Sequence, residues 1–183
     1  MGRGGFNKFI GVIVLLILLT LLKRWFNYSY ALVWFGTLFG YYLPFIDHLF
    51  YAFVVRPNEE FSKSVRSMLT VKTIFSPQKI KALVAYVHQT KFQEARLIVH
   101  TVYFQLLFLL LTLLILTSNS NLFGRGLVYG FSLKLFVEQL VEFVQSGKID
   151  RWFSQIPIKL DEHRERVYLY ANGLVLFVFT LML

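Results

Sequence analysis

The sequence predicts an all-α, polytopic transmembrane bundle of about five spans, and three observations carry that prediction. Apolar residues gather in uninterrupted runs of roughly 20, the length at which a helix crosses a ~30 Å hydrocarbon layer. Of the 183 residues, 56% are hydrophobic and only 16% charged, with a mean hydropathy of +0.58, which is not the balance of a soluble domain. Nearly all Lys and Arg residues stand between the runs instead of inside them.

The first span is expected over about 6–22, through Ile10-Gly11-Val12-Ile13-Val14-Leu15-Leu16, with Arg3 and Lys8 before it and Lys23-Arg24 closing it. Its apolar run is long for a signal peptide and has no small-residue cleavage site, so it reads as an uncleaved helix. Phe6 stands where a myristoylation signal needs Ser or Thr. The second span, about 28–55, carries Gly36, Gly40, Pro44, Asp47 and His48. The third, about 98–117, is opened by His100 and followed by the polar turn Ser118-Asn119-Ser120-Asn121. A less apolar fourth span, about 122–144, holds Lys134 and Glu138, and the last covers about 167–183.

The long connection between the second and third spans contains Ser76-Pro77, an N-cap followed by a first-turn proline. Beyond it Ile80, Leu83, Val84 and Val87 share one helical face, which predicts an amphipathic helix over about 77–89 on the membrane surface. The polar, basic stretch 147–166 reads as a surface loop. With no internal repeat, the whole chain, 1–183, is expected to be a single membrane domain.

Charge placement sets the topology. Arg3 and Lys8, eight basic residues from Arg56 to Arg96, and five from Lys148 to Arg166 fall on one side of a five-span chain, 15 in all. Only Lys23, Arg24 and Arg125 fall on the other. The positive-inside rule then puts the N-terminus and both long loops in the cytoplasm, in a multi-pass protein of the cell (inner) membrane whose first partner is the lipid bilayer. The net charge of +9 is spread along these boundaries with no dense basic tract, which argues against a nucleic-acid partner. The absence of cysteine excludes disulfides, thiolate catalysis and Cys-ligated metals.

Ionisable groups inside spans cost a few kcal/mol and therefore face the bundle interior, pair, or serve a function. Here they are Asp47, His48, His100, Lys134, Glu138 and Glu142, at similar depths near the cytoplasmic boundary. Gly36, Gly40, Pro44, Asp47 and Tyr51 line one stripe of the second span. Lys134, Glu138 and Glu142 line one stripe of the fourth, and Arg96 and His100 share a stripe at the start of the third. Two readings stand side by side. Asp47, His48, His100 and Glu138 form a ligand set for one divalent metal such as zinc, able to activate water. Alternatively the groups neutralise each other, Lys134 with Glu138 one turn away, and Asp47 with Arg96 or Lys134.

Three segments add a resemblance. Gly40-Tyr41-Tyr42-Leu43-Pro44-Phe45-Ile46-Asp47-His48, Ala95-Arg96-Leu97-Ile98-Val99-His100-Thr101 and Gly130-Phe131-Ser132-Leu133-Lys134-Leu135-Phe136-Val137-Glu138 follow in order. Together they resemble the Gly-x-x-Leu-Pro-Asp-x-Asp-His, His-Arg-Gly-x-Thr-His-Ser and Gly-Tyr-x-x-His-x-x-x-Asp segments of the LexA-regulated, membrane-bound metal-dependent hydrolases. The resemblance covers about 36–183 and implies a metal held by Asp47, His48, His100 and Glu138. Departures from it are specific: Phe45 replaces an Asp, Ala95 a His, and Lys134 the third segment's His. A cation at a ligand position repels a metal or substitutes for its charge. The expectation is therefore a divergent, non-catalytic or weakly active member, kept as a structural or interaction protein with a membrane partner or a second copy of itself. The alternatives are an active hydrolase acting on a lipid or lipid-linked substrate near the inner leaflet, and an ion or proton transporter.

Overall fold

The first helix, α1 (Arg3–Leu22), is apolar on every side along Ile10–Leu22. It buries Val12, Leu16 and Leu19, spaced by four and three residues, and exposes Val14, Leu18, Leu21 and Leu22. Its end is a closed turn. The Lys23 N–H reaches the Leu19 carbonyl at 2.9 Å and the Trp25 N–H reaches the Thr20 carbonyl at 3.0 Å. Arg24, between them, adopts the left-handed conformation (φ +54°) that a glycine usually supplies at this place. The computed structural model describes residues 3–45, 47, 51–55, 57–68, 99–118, 121–156 and 161–183. These fall into two units, Met1–Trp25 with Phe45–Leu97 and Phe26–Pro44 with Ile98–Leu183. Every element assigned among the described residues is helical, in agreement with the all-α expectation.

The predicted second span is not one helix. Asn27 accepts a hydrogen bond from the Ser29 N–H at 3.1 Å and starts a short 3-10 turn, Tyr28–Tyr30, that leads into α2 (Ala31–Tyr42). α2 stops there because Pro44 has no N–H to continue the ladder. Phe45 and Asp47 are helical again, and Tyr51–Val55 forms a π-turn, but these belong to the first unit with α1. The same unit contains α3 (Glu60–Met68), an element the sequence reading leaves as loop. Glu60 in its first turn and Arg66 in its last suit the helix dipole. Arg66 Nη2 donates to the Phe53 carbonyl at 3.1 Å, and the guanidinium lies 5.3 Å from the centre of the Phe53 ring.

In the second unit, α4 (Val102–Thr117) begins where Thr101 Oγ1 accepts the Phe104 N–H at 3.3 Å. α5 (Leu122–Ser146) begins where Asn121 Oδ1 accepts the Gly124 N–H at 2.6 Å, and ends at Gly147, whose φ of +73° needs no Cβ. α6 (Glu162–Met182) starts five residues before the predicted 167. It is long and apolar enough to cross a membrane, while α1 and α4 carry shorter apolar runs, Ile10–Leu22 and Val102–Thr117. The predicted amphipathic helix at 77–89 lies outside the described residues.

Two kinds of packing hold the second unit. Along α2, a Cβ added at Gly36 or Gly40 would fall on the Phe123 or Leu127 carbonyl; along α5, one at Gly126 or Gly130 would fall on the Val33 or Thr37 carbonyl. Backbone meets backbone, as small residues four apart allow in helices without side chains between them. On the other side of α5, Phe131 stacks on Phe108 at 4.1 Å and packs with Val102, Leu135, Ile149, Trp152 and Phe153. The last three correct the reading of 147–166 as a surface loop. Ile149, with the 3-10 turn Asp150–Phe153, folds back under the helices, and Ile149 and Trp152 are 0% exposed. Their spacing puts three large apolar groups on one side of a short turn, and burying each is worth about 1.5–3 kcal/mol.

Candidate functional site

The predicted site residues divide between the two units. Asp47 is buried and belongs to the first; His100, Lys134 and Glu138 belong to the second. His48 and Arg96 lie outside the described residues. Within the second unit the sequence-predicted groups meet. His100 sits in the turn ahead of α4, one residue before its N-cap, and is 2% exposed. Its Nε2 lies 2.5 Å from Glu138 Oε2, and Lys134 Nζ lies 3.0 Å from Glu138 Oε1, one helical turn back along α5. An ionised carboxylate only accepts, so the imidazole N–H and the ammonium are both donors. The ammonium also lies 4.8 Å from the centre of the Tyr41 ring on α2. The Tyr41 hydroxyl is buried and has no hydrogen-bond partner among the described residues. On the opposite side the His100 ring lies 5.5 Å from the Trp152 ring.

Glu142, one turn further along α5, does not join this cluster. It anchors the 150–153 turn, accepting from Arg151 Nη2 at 2.9 Å and from Trp152 Nε1 at 3.2 Å. Glu165 of α6 secures the same segment by accepting the Ile149 N–H at 2.8 Å. Next to the cluster lies a group that the sequence reading passes over. The Gln105 and Gln139 amides pair reciprocally, each donating to the other's carbonyl oxygen. Tyr168 donates to Gln105 Oε1 at 2.7 Å, and Asn172 donates to Gln139 Oε1 at 3.4 Å. Further along, Thr112 and Ser132 hydroxyls meet at 3.0 Å, and those of Tyr129 and Thr180 at 2.8 Å. A signal for Gln105 is present in the sequence: it is the sole amide in the Leu/Phe/Thr run of α4. Nothing in the spacing tells which residue receives it.

The described donors can be tested against the implied metal. A carboxylate ligand to zinc places oxygen about 2.0–2.2 Å from the ion. Both Glu138 oxygens are already engaged, one by an imidazole and one by an ammonium. A divalent ion at that carboxylate would have the Lys134 charge as its neighbour, and the repulsion between them is strongest where water is excluded. Among the described residues, no three His, Asp or Glu side chains converge. His100, Lys134 and Glu138 thus fit a self-neutralising cluster and, as placed, do not fit a divalent ion bound at the Glu138 carboxylate.

No protein-family model matches the chain, and no curated protein or solved structure is significantly similar to it.

Proposed function

We propose that the chain is a five-span inner-membrane protein, a divergent relative of the membrane-bound metal-dependent hydrolases, in which Lys134 supplies the positive charge of a lost metal and the protein serves as a non-catalytic structural or interaction component. The observation that carries this reading is the occupation of both Glu138 oxygens by His100 and Lys134. A catalytic metal needs an open coordination position and ligands free to reach it, and this carboxylate offers neither. The ion pair also answers the physical need of a charge in hydrocarbon, which is to be met by an opposite one.

Support for the membrane part of the proposal comes from the helix surfaces. α4 exposes Leu106, Leu107, Leu110 and Leu114, and α6 exposes Tyr170, Leu174, Phe177 and Leu181, while α4 buries Gln105 and Thr112 and α6 buries Asn172. Apolar outside and polar inside inverts the soluble pattern and suits lipid as the solvent. With 15 basic residues on one side and three on the other, the N-terminus and long loops face the cytoplasm in this reading.

The test is metal content. Protein purified in mild detergent without chelator is expected to hold no stoichiometric zinc, manganese or iron, and its thermal midpoint should not move on adding EDTA. About one divalent ion per chain, lost on chelation with a fall in the midpoint, would overturn the proposal and restore the hydrolase alternative.

A further inference from the structure

The end of α1 carries a feature that the metal-site question leaves unused. Arg24 is an exposed, left-handed, non-glycine residue, and Gly147 is the other described residue with a φ in that range. A side chain at such a φ is held against its backbone preference, and glycine relieves the strain. The residue found there is nevertheless a long cation. Beside it, Lys23 Nζ lies 5.5 Å from the centre of the Trp25 ring, and Trp25 is buried. No Asp or Glu occurs before Asp47 in the sequence. Among the described residues no carboxylate forms an ion pair with Arg24.

We propose that the Lys23–Arg24–Trp25 turn is a docking site for the phosphate headgroup of an anionic phospholipid. This rests on the membrane-spanning reading, which puts the end of an apolar helix at headgroup level. A guanidinium there offers a planar pair of N–H donors matched to two phosphate oxygens. The rival explanation is that Arg24 merely complements the negative end of the helix dipole. The two make opposite predictions for Arg24→Gly. Under the dipole explanation the variant loses stability. Under the docking explanation it relieves the left-handed strain, melts at the same or a higher temperature, and loses lipid.

The experiment reconstitutes the full chain, wild type and Arg24→Gly, into vesicles with equal parts phosphatidylglycerol and phosphatidylcholine. Each protein is then extracted in mild detergent, and the co-purifying lipids are counted by native mass spectrometry. Wild type should be enriched in phosphatidylglycerol, and the variant should lose about fivefold of that enrichment, as expected for one interfacial cation. Arg24→Lys, which keeps the charge without the planar fork, should fall between them. Equal enrichment in wild type and Arg24→Gly, or a lowered melting temperature of Arg24→Gly with unchanged lipid retention, overturns the docking site. If instead the wild-type protein is washed from the vesicles by alkaline carbonate, the membrane-spanning reading itself fails.

Discussion

On one face of α5, Gly126 and Gly130 bring the helix directly against the α2 backbone. On the other, Gln139, Glu138 and Glu142 reach across to α4, α6 and the 150–153 turn through side-chain hydrogen bonds. The first seam satisfies almost no side-chain polarity: Thr37 Oγ1 and Tyr41 OH are buried there without hydrogen-bond partners among the described residues. The second is joined through side chains, with the Gln105 and Gln139 amides paired to each other. One helix therefore joins its neighbours by shape on one side and by chemistry on the other. Lys134 lies where the two meet, over Tyr41 and bonded to Glu138. The contrast teaches that the charged cluster belongs to a packing system as much as to any site.

That contrast predicts how each seam breaks. The close seam should be the less forgiving. Gly130→Leu places a branched side chain on the Thr37 carbonyl and should lower stability by upwards of about 4 kcal/mol, seen as loss of the cooperative thermal transition in detergent. A loss below about 1 kcal/mol would mean the helices are not in contact there. Next comes the cluster. Glu138→Ala leaves the Lys134 ammonium and the His100 N–H without their acceptor and should cost about 3 kcal/mol. Adding Lys134→Met should recover most of it, so the double variant is more stable than the single one. A double variant no better than the single would show that the ammonium is not what Glu138 neutralises. The amide pair should be mildest. Gln105→Leu is expected to cost about 1 kcal/mol, and a second change, Gln139→Leu, should add little, because the pair is already broken. Full additivity in that cycle would sink the reciprocal pairing.

Much of the helical framework was legible because its signals are local. Asn121 and Gly147 mark the ends of α5 with residues suited to a cap and a left-handed turn, and the reading of 122–144 misses its end by two residues. The Lys134–Glu138 pair was legible for the same reason, since four residues on a helix fix the geometry. What was not legible depends on distant partners. Apolarity continues through Pro44 where the backbone ladder does not, so the sequence predicts one span where α2 ends at Tyr42. The charge of the 147–166 stretch points to the surface, whereas the burial of Ile149, Trp152 and Phe153 follows from partners on α4, α5 and α6. Gly126 with Gly130 repeats the four-residue spacing of Gly36 and Gly40, but the spacing alone does not say that the two stripes meet.

The reciprocal Gln105–Gln139 pair also bears on how the chain is made. A lone carboxamide on a helix bordered by hydrocarbon has two donors and an acceptor with no water to meet them. Gln105 and Gln139 are 34 positions apart, on helices separated by only residues 118–121, so the partner emerges soon after the residue that needs it. On the proposed membrane-spanning reading, α4 and α5 would leave the insertion machinery as a hairpin, with their amides already joined. Tyr168 and Asn172, arriving last on α6, would then close an assembly whose polar centre had never faced lipid.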